Sequence, residues 1–153
     1  MLAETPAADA KVTTTTTTYQ GWSVQCTDSG KKDGKACAAS FRVIDQKSKG
    51  NLLVWLMGKN AKGEKLAEFL TLTDVLIKPG VGLSLDDAEP VRAEYVSCGG
   101  NGCKASLALD KALVAKLKSA KKARVDMTRL DGQVIQFTMD VTGIAPAMAD
   151  IGF

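Results

Sequence analysis

Histidine is absent from all 153 residues. That removes the commonest general base, the usual partner of a nucleophilic Ser or Cys, and the commonest zinc ligand. Enzymes built on carboxylates or lysines stay open, yet no residue constellation calls for one, so the chain reads as a non-enzyme with no cofactor. Also missing is any run of about 18 apolar residues, the length a membrane-spanning helix needs. A large charge excess is missing too: the net charge is +3, far from the basic balance of a strong nucleic-acid binder. Nor does the N-terminus carry a charged segment leading into an apolar core, so no intact signal peptide is visible.

What is present is ordinary for one globular domain, with 45% apolar and 24% charged residues. The length allows a single hydrophobic core. An opening of AETPAADAKV and six threonines, Thr13 to Thr18, offers little to bury. Residues 1–18 are therefore expected to be the disordered start of a mature exported chain, with residues 19–153 forming the domain.

Period-2 alternation recurs along the rest. Trp22, Val24 and Cys26 share one face of a strand, and Cys37, Ala39, Phe41 and Val43 share one face of a second. LLVWLMG, Leu52 to Gly58, is apolar on both faces and suggests a central strand. LAEFLTLTDVLI mixes helical and alternating spacings, and Lys78-Pro79-Gly80 ends it; its threonines favour extended structure. GLSLDD, VRAEYVSC and CKASLALD add three short strands, the last with Cys103, Ala105, Leu107 and Leu109 on one side.

Asp110 stands where an N-cap belongs, and KALVAKLKSAKKA follows with Leu113, Val114 and Leu117 on one side. Asp131-Gly132 between ARVDMTRL and QVIQFTMDV predicts a hairpin, with Ile135, Phe137, Met139 and Val141 inward. The tail GIAPAMADIGF suits one short helical turn. The sum is a mainly β protein: a single-domain antiparallel β-sandwich or barrel-like fold with one amphipathic helix near residues 110–122.

The four cysteines fall as two close pairs, with ten residues between Cys26 and Cys37 and four between Cys98 and Cys103. Structural zinc wants Cys-x-x-Cys knuckles and often His, so no metal is expected. A redox dithiol wants Cys-x-x-Cys opening a helix, whereas CGGNGC joins two strand-like segments. Four cysteines allow three disulfide connectivities. The sequence-local pairing, Cys26–Cys37 and Cys98–Cys103, is the most economical, and glycines let the tighter ring close. Stable disulfides imply an oxidising compartment.

Taken in order, Trp22-Ser23-Val24-Gln25-Cys26, Cys37, Pro79-Gly80-Val81, Cys98 with Gly102-Cys103-Lys104-Ala105, and Gly143-Ile144-Ala145-Pro146-Ala147 carry a resemblance. From about Gly21 to Ala149 the chain resembles the bacterial invasion-associated locus B family. No single motif is diagnostic; their order and spacing are. The chain departs from the family pattern at Leu72-Thr73-Asp74, where Pro-x-Gly is common, and at Ile144, where Phe is common. The resemblance implies a small protein of Gram-negative bacteria, exported by a signal peptide to the periplasm or cell envelope. In some pathogens such a protein is associated with entry into red blood cells. It supplies no active site. The partner it implies is another protein or a host-cell surface. A periplasmic ligand-binding or envelope-maintenance module unrelated to virulence is the competing reading.

Four other features invite a function. Asp86, Asp87 and Glu89 cluster after a turn, but lack calcium-loop spacing and read as a solvated loop. Lys111, Lys116, Lys118, Lys121, Lys122 and Arg124 form a basic face that suits an acidic protein, a sialylated glycan or peripheral contact with anionic lipid. Trp22 and Trp55 sit in apolar strand contexts and read as core. GGNG could cradle a phosphate, but a strand follows it, not a helix N-terminus.

Overall fold

The computed structural model describes residues 12–30 and 34–153. Among these residues, ten strands and two helices follow in chain order. They are β1 (Thr13–Tyr19), β2 (Trp22–Asp28), β3 (Lys35–Ile44), β4 (Asn51–Lys59), β5 (Lys65–Thr71), β6 (Val81–Leu85) and β7 (Val91–Gly99). After these come β8 (Gly102–Ala108), α1 (Lys111–Ser119), β9 (Lys122–Thr128), β10 (Val134–Asp140) and α2 (Ile144–Asp150). All pairings between strands are antiparallel, in the order β1-β2-β3-β4-β5-β8-β7-β6-β9-β10. The sheet curls into a half-barrel, so the expected mainly β, barrel-like fold is what forms.

Register explains the core. Phe41 lies opposite Trp55, and Trp55 opposite Phe69. Tyr19 lies opposite Trp22 at the other end of the same row. One level of the sheet therefore carries aromatic rings across five strands. Trp22 meets Trp55 edge-on at 5.0 Å between ring centroids, with Phe41 and Phe69 flanking at 5.4 Å each, the geometry aromatic quadrupoles favour. Trp22, Trp55 and Phe69 are fully buried, as expected of core residues.

Helix α2 covers the core over the first three strands. It packs on β1, β2, β3 and α1, placing Ile144, Ala147 and Met148 in the core. The tail thus makes about two turns where one was expected. In β4, the inward face of Leu53, Trp55 and Met57 is buried, while on the outer face Val54 is buried and Leu52, Leu56 and Gly58 stay half-exposed. The strand is covered fully on one side only.

Three further expectations need correcting. Disorder through residue 18 fails for the described part: Thr13–Tyr19 pairs with β2 from Thr13↔Asp28 to Tyr19↔Trp22. Threonine is β-branched and suits a pleated backbone, so a ladder forms without burial. Residues 1–11 lie outside the described residues. Second, α1 stops at Ser119. Ala123, Val125 and Met127 alternate inward and are fully buried, which draws Lys122 onward into β9. Third, extended pairing after Leu66 ends at Thr71, and the following residues make only an isolated bridge from Val75 to Arg129.

Candidate functional site

Cys26 is bonded to Cys37, and Cys98 to Cys103. Both pairs lie directly opposite in register, on β2/β3 and β7/β8. They are cross-strand staples, and no cysteine is free. Within CGGNGC the glycines are not equivalent. A side chain at Gly99 or Gly100 would meet open space, whereas a Cβ at Gly102 would lie 2.2 Å from the Thr71 carbonyl oxygen, at a φ of +136°. Gly102 is there because β8 starts hard against the end of β5.

The expected basic face divides in two. Lys111 and Lys118 sit seven residues apart on α1, hence on the same side of the helix. With Lys65 of β5 they rim a surface groove of about 530 Å³. Its floor is apolar: Leu109, Val114, Ala115 and Phe153. Lys65 Nζ lies 5.4 Å from the Phe153 ring centroid, within cation–π range. The one acid in the lining, Asp110, is committed to capping, its carboxylate accepting the Leu113 backbone N–H at 2.8 Å. Three ammonium groups around an apolar floor can take a ligand that joins an acidic group to an apolar body.

Lys122 and Arg124 are elsewhere and already partnered. Asp87 lies 3.6 Å from the Lys122 ammonium and 3.3 Å from the Arg124 guanidinium. Asp86 accepts the backbone N–H groups of Lys121 at 3.1 Å and Lys122 at 2.9 Å. Asp86 and Asp87 both hold positive φ, 49° and 63°, which fits a tight turn packed under the entry to β9. The acidic cluster is thus structural at two of its three members. Lys116 is exposed on α1 and contributes nothing to the groove lining.

Lys65 and Phe153 are the residues that sequence reasoning missed. They lie 46 and 42 positions from Lys111, and no local spacing links them. Elsewhere, the Arg129 guanidinium grips Asp74 and holds its carboxyl below the usual range, pinning the loop after β5 to the end of β9. Among the described residues, no group of three or more Cys, Asp or Glu side chains is arranged to hold a metal ion. Among the described residues, no helix is long and apolar enough to cross a membrane.

A curled antiparallel sheet, stapled across neighbouring strands and carrying a basic groove beside helix α1, defines a small disulfide-stapled β-domain. The chain belongs to the invasion associated locus B (IalB) protein family, whose model matches residues 22–152. Its fold is similar to that of invasion associated protein B from Bartonella henselae, solved by crystallography. The TM-score is 0.74 at 20% sequence identity, covering 90% of this chain and 95% of that one. No curated protein sequence matches the chain.

Proposed function

We propose that this chain is an exported, non-catalytic protein of the bacterial periplasm or envelope that contributes to host-cell entry, in the first instance entry into erythrocytes. The observation that carries this reading is the family match over residues 22–152. Two cross-strand disulfides add to it, because such bonds persist in oxidising compartments. The groove bounded by Lys65, Lys111 and Lys118 supports such a contact by its charge, with acidic groups of a protein or cell surface as the proposed complement. A ligand-binding role between sheet layers has less to stand on, since Trp22, Trp55, Phe69, Leu117, Met127 and Met148 fill that space.

The test compares host-cell association and entry for a deletion strain, the complemented strain, and a strain complemented with K65E/K111E/K118E. Fractionation of the complemented strain reports location. Loss of entry on deletion, restored by the native chain alone, is the expected result. Unchanged entry on deletion overturns the invasion role, and recovery in the cytoplasmic fraction overturns export.

A further inference from the structure

Strand β1 is unlike the other nine. All six threonines are exposed, on both faces of the strand. The core reaches it only at Tyr19, so β1 buries no threonine side chain and is held by its ladder to β2 and by the contact of Tyr19 with α2. It is also the first strand in the sheet order, and its outer edge pairs with no strand among the described residues. Natural edge strands are usually blunted by lysine, proline, a bulge or brevity. β1 runs seven residues with no charge, no proline and an unbroken register against β2. At the other edge, β10 carries Asp140 and turns Met139 into the core.

The geometry points to β1 as a self-pairing edge, at which a second copy of this chain adds its own β1 antiparallel and makes one sheet through two molecules. The occupant follows from the strand's composition. A two-fold axis perpendicular to the sheet reverses the strand while keeping the same face outward, as an isologous interface requires. With that axis at Thr16, Thr16 faces its counterpart, Thr14 faces Thr18, and Thr15 faces Thr17. Each of these pairs is Thr–Thr, uncharged and β-branched, a favourable cross-strand combination. Moving the axis by one residue keeps the pairing of threonine with threonine over most of the strand. A foreign peptide added to a sheet edge is selected through side-chain pockets. The threonines of β1 offer neither pocket nor charge to read one, whereas they match their own copy. The inference does not depend on a role in host-cell entry.

Sedimentation equilibrium of the full, oxidised chain tests it. The native protein should pass from one to two chain masses as concentration rises. T14K/T16K/T18K and T14E/T16E/T18E should each stay monomeric, because like charges then oppose one another across the axis wherever it falls on that face. An equimolar mixture of the two should recover the two-chain mass. Amide exchange at residues 13–19 of the native protein should slow as concentration rises, which reads the same edge without any substitution. A native chain that stays monomeric with concentration-independent exchange overturns the inference. So does a dimer that persists in both triple variants.

Discussion

The Tyr19 hydroxyl donates to the Asp150 carboxylate at 2.5 Å, joining residues 131 positions apart. Beside it, the Thr142 hydroxyl donates to the Gln20 side-chain carbonyl. A Cβ at Gly143 would lie 2.2 Å from the Tyr19 carbonyl oxygen. The start of α2 thus sits directly on the turn between β1 and β2. Since the threonines of β1 contribute no buried surface, this clasp and the ladder to β2 are what fix the strand, and both ends of the described domain meet in it.

The clasp has a pH signature. The hydrogen bond to Asp150, then partial burial, then the Asp150 charge hold the Tyr19 phenol above its ordinary value, which is about 10. A raised folded pKa means the contribution is fully present below the unfolded pKa and is lost as pH rises through the folded one. Ultraviolet titration of the native chain against Tyr19→Phe should therefore assign to Tyr19 a phenol that ionises late. The stability gap between the two proteins should close in strong alkali. A Tyr19 that titrates at the ordinary value would mean the clasp is open in solution.

The two staples differ in the loop they close, with sequence separations of 11 and 5. By loop entropy alone they contribute about 3 and 2 kcal/mol respectively. Cys26→Ser/Cys37→Ser should therefore lower denaturant stability more than Cys98→Ser/Cys103→Ser. Non-reducing peptide mapping of native protein should recover both local pairs and no free thiol. A crossed pairing, or four free thiols, would remove the main physical support for export.

Strands with one apolar face could be read directly, because alternation at Trp22/Val24 or Ile135/Phe137/Met139 is a local property of the chain. Two failures share a cause. Local propensity carries the helix on past Ser119, because KALVAKLKSAKKA is dominated by Ala, Leu and Lys. Tertiary burial of Ala123, Val125 and Met127 instead claims the residues from Lys122 onward. Likewise β1 is invisible to any reading based on apolar pattern, since its partner β2 supplies the order. The groove was half legible. Lys111 and Lys118 share a helix face by periodicity, but Lys65 and Phe153 arrive from distant strand and tail positions that only the folded sheet brings together.

CGGNGC makes a sharper prediction than its symmetry suggests. Gly102→Ala places a methyl against the Thr71 backbone at a φ that side chains rarely adopt, and should cost roughly 2 to 4 kcal/mol. Gly100→Ala meets open space and should fall within about 0.5 kcal/mol of the native chain, the range of ordinary surface changes. Chemical denaturation of both variants with the disulfides intact reads the difference. Equal effects would show that the turn, and not the contact with β5, sets the need for glycine.

The two halves of the basic face should separate by function. K65E/K111E/K118E reverses the three charges around the apolar floor, whereas K122E/R124E alters groups that Asp87 already partners. Binding of the purified chain to erythrocyte membranes, followed by surface plasmon resonance, should be lost in the first variant and largely retained in the second. Salt should weaken native binding, as screening of a solvent-exposed contact requires. The apolar floor should leave a residue of binding that salt does not remove, and Val114→Asp should abolish that residue. If K122E/R124E loses binding while the groove variant keeps it, the contact lies on β9, and the ion pairs to Asp87 must open to make it.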